Sequence, residues 1–193
     1  ATTESYTLSL HDALPILLSF SLIGISNADF SDGLDAYNAG DHKTALQEWL
    51  ALAEQGDVRA QYNVGWMNAY GIGTLQDYEQ AVNWYRKAAD QGFVHAQFNL
   101  GNMYLRGDGV EKDDTLAFTW FIKAAEQGDA ASQYNLGRMY ILGKGVVENM
   151  PEAKDWIKKA YENNDKNIAI LAEEVWDKLD RKSTRLNSSH SEI

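Results

Sequence analysis

Apolar and polar positions between residues 58 and 165 recur with a period of 36. Three gapless segments, 58–93, 94–129 and 130–165, open on AQYNVG from Ala60, AQFNLG from Ala96 and SQYNLG from Ser132. Each carries a glycine at one phase (Gly65, Gly101, Gly137) and then a GxG loop (Gly71/Gly73, Gly107/Gly109, Gly143/Gly145). The second halves share Ala81, Ala117 and Ala153, then Trp84, Trp120 and Trp156, then Lys87, Lys123 and Lys159. At 100° per residue, Ala60 and Asn68 each fall within about 40° of Val64, which predicts a first helix, A, over Val58–Tyr70. Tyr104 and Tyr140 take the Asn68 phase in the next units. A mid-helix glycine costs about 0.8–1 kcal/mol against alanine, so a threefold glycine implies a close helix–helix contact. The GxG loop supplies the positive φ needed to leave helix A and turn back. Asp77, Asp113 and Asn149 stand where a second helix, B, needs an N-cap, and Pro151 suits its first turn. Gly92, Gly128 and Asn164 suit a left-handed C-cap. The fold class expected is all-α, a solenoid of helix-turn-helix repeats.

The flanks read differently. Residues 30–57 form a partial leading unit: Ala45, Ala53 and Gly56 match Ala81, Ala89 and Gly92, and Asn38-Ala39-Gly40 replaces the longer loop. Terminal repeats are expected to be atypical because they cap the stack. Residues 167–179 predict a capping C-terminal helix with Ile168, Leu171, Val175 and Leu179 on one stripe. Residues 14–28, LPILLSFSLIGISNA, are mostly apolar but shorter than the ~20 residues of a membrane span. They end on Ser26-Asn27-Ala28, which reads as a secretory signal cleaved after Ala28 in preference to a buried first helix. The basic n-region is missing. Residues 1–16 and the tail 181–193, RKSTRLNSSHSEI, resemble sequencing-adaptor read-through and are expected to be non-native. The solenoid is therefore assigned to residues 29–180, and 1–28 to a signal-like segment preceded by non-native sequence.

Composition narrows the function classes. The chain has 193 residues, 17 basic and 28 acidic side chains and a net charge of −11. That balance argues against a binder of nucleic-acid phosphates or of anionic lipid. There is no cysteine, hence no disulfide, thiolate metal site or thiol nucleophile.

The pattern AQxNLGxMYxxGxGVxxDxxxAxxWxxKAAxQG resembles the Sel1-like repeat, a subclass of tetratricopeptide-like α/α solenoids, over 58–165 in full and 30–57 in part. A plain tetratricopeptide repeat is about 34 residues long and lacks the GxG insertion. Departures are Asn68, Thr74, Asn149, Tyr161 and Asn164, which bear on local packing. The resemblance implies a right-handed superhelix used as a protein-binding scaffold. Bacterial members of that family are often exported and take part in envelope assembly, signalling or host contact.

A search for chemistry finds little. His11, His42, His95 and His190 do not share a repeat phase, and a zinc site needs three or four converging ligands. No nucleophile elbow or S-x-x-K signature occurs. GIG, GDG and GKG lack the residues that complete a phosphate loop, so they read as turns. Asp108 and its acidic neighbours lack the ligand spacing of an EF-hand. The Trp84, Trp120 and Trp156 series shares the core phase of helix B. No cofactor, metal or enzymatic activity is expected.

The informative surface is the outer side of helix A, which lines the concave face in α/α solenoids. Asn63, Asn99 and Asn135 recur there and suit holding an extended peptide by its backbone. Arg59, Trp66, His95, Asn102, Arg106 and Arg138 do not recur, so stacking does not demand them and they are the specificity candidates. Tyr62, Phe98 and Tyr134 are expected to pack between neighbouring A helices. The alternative for this face is an ordinary wetted helix surface. The function expected is a non-enzymatic scaffold, periplasmic or secreted and monomeric, holding a protein or peptide partner in that groove. It is expected to leave nucleic acid alone and, after signal cleavage, the membrane. Two alternatives stand beside it: a cell-envelope hydrolase of the β-lactam-binding type seen in cysteine-rich relatives, and a fragment of a larger scaffold.

Overall fold

The computed structural model describes the backbone of residues 29–189 and side-chain surroundings as far as Leu179. The expected signal segment and the last residues of the tail lie outside the described residues. Helices α1 Phe30–Asn38, α2 His42–Glu54, α3 Val58–Tyr70, α4 Tyr78–Asp90, α5 Val94–Arg106, α6 Asp114–Glu126, α7 Ala130–Leu142, α8 Met150–Glu162 and α9 Lys166–Ser189 follow in order, with no strand among the described residues. Each packs chiefly on the helix before and the helix after it. The A helices are α1, α3, α5 and α7, and the B helices are α2, α4, α6 and α8. The protein is an all-α solenoid.

Capping fixes the boundaries. Asp77 accepts from the Gln80 amide at 2.9 Å, Asp113 from Thr115 and Leu116 at 2.9 Å, and Asn149 from Glu152 at 3.3 Å. Asp57 and Asp129 cap α3 and α7 in the same way, whereas α5 begins at Phe93 without a side-chain cap. The expected left-handed cap at Asn164 is not formed: among the described residues only glycines take positive φ. Helix α8 ends instead on an extended Asn163, whose amide donates to the Gly128 carbonyl at 3.0 Å. Asp165 then caps α9.

The repeated mid-helix glycines seat each A helix on its own B helix. A Cβ on Gly65 would stand 2.8 Å from Tyr85, on Gly101 2.8 Å from Phe121 and on Gly137 2.5 Å from Ile157. Gly33 meets Trp49 in the same manner, so the leading unit is a helix pair of the same kind, with a first helix of 9 residues against 13 and a loop four residues shorter. The second glycine of each GxG loop has a further role. Gly73, Gly109 and Gly145 lie against the backbone of His42, Tyr78 and Asp114, the first residue of helix B in the preceding unit. The loop thus locks neighbouring units together where only hydrogen fits.

A glutamine ladder runs through the stack. Gln61, Gln97 and Gln133 are buried, and each donates through Nε2 to a carbonyl at the end of the preceding B helix: Ala53 at 3.1 Å, Ala89 at 3.1 Å and Ala125 at 3.2 Å. Their Oε1 atoms accept from Gln91 at 2.7 Å, Gln127 at 2.8 Å and Asn163 at 3.4 Å. Every rung joins three helices and satisfies a helix-end carbonyl.

Helix α9 covers the end of the stack, extending beyond the expected 167–179. Its buried stripe is Ile168, Ala172, Val175 and Leu179, with Trp176 alongside. Leu171, expected in that stripe, is 45% exposed, while Ala172 is fully buried. Ala172, one residue further on, takes the place against Ile157 and Ala160 of α8.

Candidate functional site on the A-helix face

The outer faces of the A helices carry three open slots, one between each successive pair. The slot between α1 and α3 has a volume near 280 Å³ and is lined by Leu34, Tyr37, Trp49, Tyr62, Asn63 and Trp66. The slot between α3 and α5 is about 130 Å³ and includes Tyr70, Tyr78, Tyr85, Asn102, Arg106 and Asp108. The slot between α5 and α7 is about 80 Å³, lined by Leu105, Asn135, Arg138, Met139, Leu142 and Lys144. Buried B-helix rings at equivalent phases, Trp49 and Tyr85, form the floors of the first two.

The expected site residues separate by environment. Trp66, Asn102 and Arg138, at one repeat phase, each enter a different slot. Arg106 joins Asn102 in the second slot, and Asn63 and Asn135 line the first and third. Asn99 is half-buried, with its side chain beside the hydroxyls of Tyr62 and Tyr85. Burial pushes both phenols above their usual range, Tyr85 furthest, and the neighbouring Asn99 amide opposes that shift. The asparagine series is therefore not a continuous ladder. Arg59 is tied to the start of α3, its guanidinium 4.2 Å from the Phe30 ring centroid and 3.7 Å from the Asp57 carboxylate. His95 is exposed at the edge of the Phe93–Tyr62 cluster, with ring centroids 5.7 and 6.1 Å away. None of Arg59, His95 and Asn99 lines a slot.

Trp66 sits in an aromatic group, 5.5 Å from Tyr70 and 6.0 Å from Tyr37, and is half-buried. Arg138 is exposed, with its guanidinium 5.6 Å from the Tyr134 ring and no carboxylate partner among the described residues. Sequence reasoning missed Asp108 and Lys144, the middle residues of GDG and GKG. Their signal was the variation of Ile72, Asp108 and Lys144 at one phase between two glycines that recur.

The opposite face is framework. Trp84 and Trp120 are buried and Trp156 half-buried, with Lys87, Lys123 and Lys159 ammonium groups 3.7, 4.0 and 3.9 Å from the ring centroids. Each tryptophan packs inward and is roofed by a cation. Among the described residues no cluster of His, Asp and Glu could hold a metal ion.

These helix pairs and loops match the Sel1 repeat family model at residues 58–93, 94–129 and 130–165. The chain belongs to the Sel1 repeat family, whose solenoid is generally a non-enzymatic scaffold for protein–protein interaction. A Sel1 repeat protein from Oxalobacter formigenes is similar at 34% identity and a TM-score of 0.68, over 72% of this chain and 58% of that one. A protective antigen, c5321, present in uropathogenic Escherichia coli strains and displaying an SLR fold, is similar at 35% identity and a TM-score of 0.66. That likeness covers 81% of this chain and 33% of the antigen. The chain thus spans 58% and 33% of these two relatives, under two thirds of either. Helicobacter pylori cysteine-rich protein B shares the fold at 22% identity and a TM-score of 0.53, over 68% of this chain and 94% of that one. No curated protein matches the chain.

Proposed function

We propose that the chain is a monomeric, non-enzymatic adaptor that holds a segment of a partner protein in a concave groove formed by the A helices. One observation carries this reading. Trp66, Asn102 and Arg138 occupy one phase of three successive A helices and each enters a slot, while the glycine, alanine and glutamine framework around them recurs. Residues that vary on a constant frame are free to specify a ligand. The triple variant Trp66→Ala, Asn102→Ala, Arg138→Ala tests it in pull-downs from envelope extract. Partner affinity should fall at least tenfold, since one anchor of about 1.4 kcal/mol suffices. The Asn102 and Arg138 changes should each stay within about 0.5 kcal/mol of parental stability. Trp66 is half-buried, and its removal should cost about 1–2 kcal/mol. Full binding by the triple variant would move the site to the B-helix face or the loops.

The setting we propose is the periplasm or the exterior of a bacterium. The Leu14–Ile25 apolar run and the Ser26-x-Ala28 site support it. Asp29, the residue after the expected cleavage point, accepts from the Ser31 amide as the N-cap of α1, so processing there would leave a capped first helix. Expressed from its native gene, the mature protein should begin at Asp29. N-terminal sequencing that finds the apolar run retained on a cytoplasmic protein would overturn export.

A further inference from the structure

The three slots share a frame but not a chemistry. The first presents Leu34, Tyr37, Trp49 and Trp66, and the loop residue at its repeat phase is Ile72, packed on the same cluster. Leu34 is 44% exposed, an apolar side chain left facing water at the mouth of this slot. The second carries Arg106 and Asp108 together, so its formal charges cancel. The third carries Arg138 and Lys144 and no carboxylate in its lining. Lys112 and Lys144 each stand 3.9 Å from one Asp114 oxygen, so that single carboxylate is shared by two ammonium groups. Arg138, Lys144, Lys112 and Asp114 sum to a charge of +2, in a chain whose net charge is −11.

Resting on the groove reading above, we propose that the groove is polarised. The slot between α1 and α3 takes a bulky apolar side chain of an extended partner segment, and the slot between α5 and α7 takes an Asp or Glu carboxylate of the same segment. The first slot is the largest and most aromatic, and filling it removes the most apolar surface from water. In the third, a carboxylate meets a guanidinium with a free fork beside a lysine, a geometry suited to bidentate contact. The acidic surface elsewhere repels a partner's carboxylates and confines them to this end, so the charge pattern sets register and direction more than raw affinity. Packed helices lie about 8–10 Å apart, which places the outer slots on the order of 20 Å from each other. An extended segment at about 3.3 Å per residue covers that in roughly six residues.

The experiment pans a random twelve-residue peptide display library on the full chain and on its Arg138→Glu and Trp66→Ala variants. Parental selections should pair Trp, Phe or Leu with Asp or Glu about six residues away. Arg138→Glu should lose the acidic preference and select Lys or Arg at that position. Trp66→Ala should lose the aromatic preference and keep the acidic one. A labelled peptide from the parental pool should bind Arg138→Glu at least tenfold more weakly, and exchanging its acid for lysine should restore binding. Lys144→Glu is the second variant, should Arg138→Glu fail to fold by circular dichroism. Enriched peptides without an acidic preference, or with one that neither charge reversal alters, would overturn the polarity and leave the groove reading standing. A library that yields no enriched peptide would overturn both.

Discussion

A Gly101→Leu chain is expected to melt on the order of 6–12 °C below the parent, or lower. Overpacking a tight core contact costs about 1–3 kcal/mol, occasionally more, and this site lies at the severe end. A Cβ alone would approach Phe121 to 2.8 and 2.9 Å, inside any ordinary carbon contact. Phe121 is fully buried, with the Phe98 ring tilted against it at a centroid distance of 6.1 Å, so its ring has little room to give way. A loss of about 3 kcal/mol lowers the melting temperature of a domain this size by about 2–4 °C per kcal/mol. The site is in the central unit, and repeat stability is a sum of unit and interface terms, so both neighbours lose support. The double variant Gly101→Leu, Phe121→Ala should recover part of the loss by making room. An unchanged melting temperature for the single variant would mean that the α5–α6 contact is not centred on Gly101.

The period of 36 exposed most of the framework, because a solenoid writes each structural demand several times. Helix α3 has the expected bounds, Val58–Tyr70, and the caps at Asp77, Asp113 and Asn149 form where polar residues recur before a helix. The threefold glycine had to mean close approach, and it does. Recurrence does not say what lies on the other side of a contact. Tyr85, Phe121 and Ile157 face the glycines but differ in residue type, so no repeated letter flagged them. Gly33 escaped notice because the leading loop is four residues shorter, which breaks the phase.

The A-helix face was legible in outline only. A helical wheel places Asn63, Asn99 and Asn135 together, but whether an amide points outward depends on its neighbours. Asn99 lies beside the Tyr62 and Tyr85 hydroxyls, and in the next unit the residues at those phases are Phe98 and Phe121, which offer none. Arg59 has the right phase yet is held by Phe30, a residue of the leading unit. Lys144 and Asp108 are loop residues, outside any helical wheel, and only the fold brings them to the mouths of the slots.

The glutamine ladder was written in the AQ and SQ openings and needed the structure to give it a purpose, and it carries a sharp pH signature. Gln97→Glu should destabilise the chain by about 3 kcal/mol or more at pH 7, because it leaves a buried charge without a cation. Gln97 is 4% exposed, and its Nε2 donates to the Ala89 carbonyl at 3.1 Å while its Oε1 accepts from Gln127 at 2.8 Å. A carboxylate keeps the second bond, but at Ala89 it sets oxygen against oxygen. Burial and that repulsion both favour the protonated acid, so the folded pKa lies above the unfolded value of about 4.3. Below the unfolded value both states are protonated, and the new O–H can donate to Ala89 as the amide did. As pH rises through the folded pKa, the folded state must ionise or hold its proton at a cost, and stability is lost. The deficit of the variant relative to the parent should therefore shrink as pH falls from 7 towards 4. Gln97→Ala serves as the control: it abandons the Ala89 carbonyl for about 1–3 kcal/mol with no titration of its own. Denaturant melts of the three chains at pH 7 and pH 4.5 decide the matter. An equal deficit for Gln97→Glu at both values would mean that the side chain is solvated in the folded protein and that the ladder does not join the units.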